Sequence, residues 1–284
     1  MANLKEIRNR ISSVGSTMQI TSAMKMVSAA KLKKAQDAIT AMRPYSDKLT
    51  QMLVDLSSSV DFENEFLQAR KVENVLVVCI TSNRGLCGAF NSNVIKGCIE
   101  LANSISDHVS FLCIGKKGND ILSKKHNVIE SNNEIFDDLT FENISIIADS
   151  LMKKYLDKDF DKIYVVYNKF KNAATQIVKK EQFLPIEKNT SKDTEKESSD
   201  YIFEPSQIEI ISELIPKSLK TQLYKSIRDS YASEHGARMT AMHKATDNAT
   251  ELRDQLKLTY NKARQAAITN EILEIVGGAE ALNG

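Results

Sequence analysis

The chain has 284 residues, 42% hydrophobic and 26% charged, with a formal net charge of +1. That content supports one or two packed domains, and no run approaches the 18 apolar residues of a membrane span. The small net charge hides an asymmetry: residues 1–50 carry nine Lys/Arg against three Asp/Glu, 51–205 carry 19 against 24, and 206–284 carry ten of each.

Residues 3–42 read as one long basic helix. Leu4, Ile7, Ile11, Val14, Met18 and Thr21 recur at the three- and four-residue spacing of a coiled-coil seam. Beyond them Ile20, Ala23, Met24, Met26, Val27, Ala29, Ala30 and Leu32 are apolar around much of the circumference, which implies contact on more than one side. The basic segment lacks aromatic interleaving and alternates charge with an apolar stripe, so no nucleic-acid partner is expected. The opening MANLKEIRNRI has no signal-peptide core and enters the helical pattern at Leu4, the reading of a mature, untargeted chain. Pro44 kinks or ends the helix, after which Leu49, Leu53 and Leu56 resume the spacing. The serines at 57–59 and the polar run 61–64 mark a boundary.

The middle of the chain changes character. The run VLVVCI at 75–80 is a strand buried on both faces. The loop TSNRGLCGAF at 81–90 leads into a helix near 91–104. A strand follows at 110–114, then a turn and short helix at 115–125, an amphipathic helix at 142–156, and strands at 162–167 and 175–185. This alternation argues for a small α/β sheet domain. The tract 187–200 has no apolar residue and is expected to be a solvated loop. Residues 201–203 are expected to return to the sheet.

The last segment is a second long helix. Ala237, Ala241, Ala245 and Ala249 recur every four residues, followed by Leu252, Leu256, Tyr260, Ala263 and Ala267, one face of a helix along which a partner can approach closely. Pro216 suits the first turn and Gly277 the stop, which bounds a helix over 217–276, about 90 Å at 1.5 Å per residue. Ser206 is an earlier possible start. A rod of that length needs a partner, and the first helix supplies it. The expected fold is therefore α/β plus coiled coil: a long antiparallel two-helix coiled coil from the terminal segments, with a small Rossmann-like domain inserted. The expected divisions are 1–60, 70–205 and 206–284.

Residue chemistry gives no catalytic constellation. Gly85 and Gly88 follow a strand, but neither GxGxxG nor a Gly-Lys-Ser/Thr cradle is present, so a structural turn is favoured over a nucleotide site. The histidines at 108, 126, 235 and 243 show no metal-ligand spacing, and read as surface or helix-packing residues. Cys79, Cys98 and Cys113 sit in apolar contexts and Cys87 in the loop, with no CxxC spacing, as free thiols would. The methionines at 24, 26, 239 and 242 suit packing or a partner contact. Arg264 and Gln265 lie where the seam thins, on either a solvated face or a surface that meets another subunit.

Three separated segments carry a resemblance: IRNRISSVGSTMQITSAMKMVSAAKLKKAQ at 7–36, SNRGLCGAFN at 82–91 and YNKARQAAITNEILEIVGGAEAL at 260–282. Together they resemble the gamma subunits of F-type rotary ATP synthases. The resemblance implies a non-catalytic shaft, without cofactor or metal, that turns within a ring of alpha and beta subunits and couples proton flow to ATP synthesis. It implies contacts with the epsilon subunit and the membrane c-subunit ring, at the cytoplasmic face of a bacterial inner membrane. It further implies that Met24 lies near a beta-subunit loop, that Arg264 and Gln265 form a polar catch on another, and that Asn83, Arg84, Gly85, Cys87 and Gly88 form a partner-binding loop. The charged tract 187–200 carries no cysteine pair, unlike the chloroplast type.

Overall fold

The computed structural model describes residues 4–59, 65–68, 70–105, 108–186, 204 and 206–283. The tract 187–200 and the return strand expected at 201–203 lie outside them. The chain forms two compact units, one from Met1–Ser28 with Met239–Gly284 and one from Ala29–Arg238. Two long helices, α1 (Leu4–Ser59) and α5 (Gln207–Asn283), contribute to both. The unit that holds the sheet also includes residues 29–59 of α1 and 207–238 of α5.

The α/β unit is built on five strands: β1 (Val75–Ile80), β2 (Val109–Ile114), β3 (Asn127–Asn132), β4 (Lys162–Phe170) and β5 (Gln176–Leu184). Their order across the sheet is β3-β2-β1-β4-β5, parallel except for β5, which runs antiparallel along β4. Strand β1 is central, and all six of its side chains are buried. Because successive side chains point to opposite faces, β1 feeds two cores. Leu76, Val78 and Ile80 pack with α4 (Phe141–Leu156) and with Ile211, Ile215, Leu219, Leu223 and Ile227 of α5. Val75, Val77 and Cys79 pack with Val94, Ile95 and Cys98 of α2 (Phe90–Ile105) and with Leu122 of α3 (Lys116–Leu122). Cys79, Cys98 and Cys113 are buried free thiols, as their apolar contexts suggested, and Cys87 in the loop is buried and free as well.

Three local expectations need correction. Pro44 does not end α1: the helix runs through it to Ser59, one amide hydrogen short. Pro216 is not in the first turn of α5, which begins nine residues earlier, where Ser206 Oγ accepts the Glu209 amide as an N-cap. The five apolar residues at four-residue spacing from Ile211 hold those turns against the sheet, and this burial outweighs a missing amide in mid-helix. Gly277 does not stop α5, which continues to Asn283.

In the helical unit the two ends of the chain run antiparallel. Arg8 Nη2 donates to Tyr260 Oη at 2.7 Å, Arg253 Nη1 reaches Met18 Sδ at 3.5 Å, and Thr21 Oγ1 lies 2.8 Å from Thr246 Oγ1. As numbers rise on α1 they fall on α5. Ile7, Thr21, Ser28, Met242 and Ala249 are buried along this seam. The apolar tract of α1 is not consumed by it: Ile20, Met26 and Val27 remain 61, 64 and 58% exposed.

Candidate partner-binding site

The loop after β1 is shaped by its neighbours. Thr81 is buried, and its Oγ1 accepts the Gly118 amide at 2.8 Å and donates to the Gly115 carbonyl at 3.2 Å, which ties the end of β1 to the start of α3. Asn91, in the first turn of α2, accepts the Ser82 amide at 2.9 Å and donates to Ser82 Oγ at 2.8 Å. Between these anchors Leu86 and Gly88 hold left-handed conformations, φ 63° and 58°. Glycine adopts that region freely and leucine at a cost.

Five of the sequence-predicted residues thus come together in one loop, in two kinds of position. Asn83 turns inward: its amide nitrogen donates to the Asn133 carbonyl at 2.6 Å and its oxygen accepts the Lys116 amide at 3.0 Å. Cys87 lies beneath the loop, where Asn91 Nδ2 approaches its sulfur at 3.3 Å, and burial pushes its thiol pKa up against the pull of Ser82 and Arg238. Arg84, Gly85 and Gly88 face outward beside Leu86. The loop therefore has an internal frame, Asn83 and Cys87, and an exposed crest. A crest with one guanidinium and one large apolar side chain suits a protein surface that carries a carboxylate.

The remaining three candidates belong to the helical unit. Met24 is half-buried on α1, one turn past the Thr21–Thr246 contact. Arg264 and Gln265 are exposed on α5, one turn past Tyr260. Eighteen residues of α5 separate Thr246 from Arg264, or about 27 Å of helix, so Met24 and the Arg-Gln pair lie at separate places along the helical unit. From Arg264 through Ala279 every residue is exposed, Ile268, Ile272, Leu273, Ile275 and Val276 among them. Single exposed apolar residues are ordinary, but a run of five on one helix end marks a surface for another macromolecule.

Two buried charge clusters escaped the sequence reading. Arg238 and Glu234 form an ion pair at 2.6 Å, and both are under 10% exposed. Burial raises the Glu234 pKa, with Arg238 opposing. His235 beside them, edge-on to Tyr231, is depressed to about 3 by burial and by the neighbouring Arg238 and Lys31, so it is neutral. Asp229 is 2% exposed, and its Oδ1 has no hydrogen-bond partner among the described residues. The i, i+4 pair Glu234–Arg238 was visible in the sequence as EHGAR, but such pairs are most often solvated. This one is buried where the loop after β1 meets the helix, with Arg238 reaching the carbonyls of Arg84 and Gly85.

A protein-family model described as ATP synthase matches residues 3–282. The chain is 69% identical to the ATP synthase gamma chain of Flavobacterium johnsoniae and 50% identical to that of Cytophaga hutchinsonii, each alignment covering all of both chains. Among solved structures, the fold is shared with a chain of the Euglena gracilis mitochondrial ATP synthase OSCP/F1/c-ring assembly, at TM-score 0.73 and 22% identity over 98% of this chain and 94% of that one. A chain of the Tetrahymena thermophila central stalk/c-ring structure matches at TM-score 0.63 and 24% identity, over 80% of this chain and 99% of that one. Full-length identity at this level, with paired terminal helices and a five-stranded sheet formed by the residues between them in sequence, places the chain in the family of ATP synthase gamma chains.

Proposed function

We propose that this chain is the central rotor shaft of a bacterial F-type ATP synthase, and that it couples proton passage through a membrane c-subunit ring to ATP synthesis or hydrolysis in an alpha/beta ring. The observation that carries the reading is the exposed end of α5. It presents five large apolar side chains beside Arg264 and Gln265, a surface suited to turning against surrounding subunits. The chain itself contributes no catalytic group. Its mechanism is differential contact: an asymmetric shaft favours a different nucleotide affinity in each beta subunit, and each bias is a free-energy difference between contacts made at different angles. Met24 and the Arg264–Gln265 pair are the proposed contact points with the ring, and the loop crest at Arg84, Gly85 and Gly88, framed by Asn83 and Cys87, is a proposed partner contact of the α/β unit. The epsilon subunit and the c-ring are the proposed partners of the α/β unit. Among the described residues no helix is long and apolar enough to cross a membrane, so the proposed location, the cytoplasmic face of the inner membrane, is reached through the complex.

Arg264 tests the reading. Its planar fork can hold a carboxylate through two hydrogen bonds, which lysine cannot reproduce. In the assembled complex Arg264→Ala is expected to lower ATP turnover by about tenfold, the weight of one charge-assisted hydrogen bond, and Arg264→Lys by less. Added salt should slow the wild type more than the alanine variant. Wild-type turnover and salt response in both variants would reduce the pair to a solvated helix face. Calorimetry of the isolated chain with ATP should register no specific binding, and a saturable site there would move the function into the α/β unit.

A further inference from the structure

We propose that Arg238 is a positioning residue whose guanidinium latches the crest of the 82–90 loop to α5, so that helix and loop present one surface. The inference rests on the reading of that loop as a partner contact and adds the residue that holds it in place. One arm of the fork stays on its own helix: Nη1 donates to Glu234 Oε1 at 2.6 Å and lies 3.5 Å from His235 Nδ1. The other arm crosses to the loop, where Nη2 donates to the carbonyls of Arg84 at 3.1 Å and Gly85 at 3.3 Å, more than 150 residues away in sequence. These are the two residues before Leu86, whose left-handed backbone needs support from outside itself. Glu234 supplies the negative charge that makes a buried guanidinium tolerable there, and the neutral imidazole of His235 adds no competing charge.

The arrangement needs arginine specifically. A planar fork can satisfy a carboxylate on one side and two carbonyls on the other without moving, whereas an ammonium is a single point that must choose. With the latch broken, Asn91 and Ser82 still anchor the start of the loop, and Thr81 still anchors β1. The piece that should come loose is therefore 84–88, which is the lid over Cys87. The other three cysteines lie in the core between β1, β2 and α2 and serve as an internal control.

The test is thiol labelling of the full-length chain with an aromatic disulfide reagent at pH 8, in Arg238→Gln and Arg238→Lys, with Cys87→Ala backgrounds to assign the signal. Expected is labelling of one thiol, Cys87, at least about tenfold faster than wild type in both variants, the signature of local opening, with Cys79, Cys98 and Cys113 still protected. Wild-type protection of Cys87 in both variants would overturn the latch. Restoration of protection by lysine would show that charge, not the fork, matters, and would overturn it too. Opening of all four thiols at one rate would make Arg238 a support of the whole unit rather than of the loop, a third overturning result. Labelling needs no partner, so it is separable from the loop's binding role. If Cys87 opens as expected but Arg84→Ala leaves turnover of the assembled complex unchanged, the latch stands and the partner reading of the loop falls.

Discussion

Gly115→Ala should lower the unfolding midpoint of the chain by about 10 °C. Gly115 sits at φ 102°, ψ 141° immediately before α3, a conformation essentially confined to glycine. A β-carbon there would also overlap the carbonyl oxygen of Thr81, and that is backbone with nowhere to retreat. Thr81 N donates to the Ile114 carbonyl at 2.8 Å, while the Gly115 amide donates to the Asn132 carbonyl at 2.9 Å, so moving this strand end disturbs the pairing of β2 with both β1 and β3. Backbone strain of about 1–3 kcal/mol and overpacking of a similar size add to about 4 kcal/mol. For a chain of this size each kcal/mol shifts the midpoint by about 2–4 °C. Gly85→Ala is the control, since a β-carbon there meets nothing within 4 Å. Equal midpoints for the two variants would show that the Thr81–Gly115 approach relaxes without cost.

A comparably large effect is expected from Asp229→Asn, with a pH signature. Burial pushes the Asp229 carboxyl up to about 6 from 3.8; Arg43 on α1, Lys169 on β4 and Lys225 on α5 pull it back, and Glu181 on β5 adds to the rise. The folded state therefore holds a proton that the unfolded chain has released between pH 3.8 and 6. Stability from this group is present in full below pH 3.8 and is lost as pH rises toward 6. Above pH 6 the loss amounts to about 3 kcal/mol. Asparagine keeps the shape and cannot ionise. Urea unfolding should find the variant close to wild type at pH 4 and more stable by about 3 kcal/mol at pH 7.5. A stability difference that stays constant across that range would mean Asp229 is paired well enough to ionise without cost.

The parts of the fold that could be read from sequence are those in which one residue type decides the outcome. VLVVCI at 75–80 could only be a strand buried on both sides, and it is. Strand β3, NVIESN, escaped because it is an edge strand whose side chains alternate between exposed and half-buried positions, so little apolar pattern was imposed on it. The start of α5 was ambiguous for a related reason. Pro216 is a strong local signal, but the stripe from Ile211 to Ile227 answers to the sheet, a tertiary demand that spacing alone does not assign to one partner. At the site, the loop was found because its glycines and polar residues cluster in sequence. Arg238 was missed because what makes it special is a pair of carbonyls some 150 residues away.

The pairing of Arg8 with Tyr260 spans 252 residues, and this sets a timetable for the chain's birth. At about 5–20 residues per second, α1 is made roughly 13–50 s before the segment it must clasp. For that interval the seam side of α1 faces water along with Ile20, Met26 and Val27, with its partner still unmade. The α/β unit has a matching deadline: its sheet is translated by Leu184, but the stripe from Ile211 to Ile227 that covers one face arrives only with the first turns of α5. Folding of this chain is therefore paced by its last quarter, and a ribosome stalled before α5 would hold a complete sheet with one oily face covered by α4 alone and a long helix with no companion.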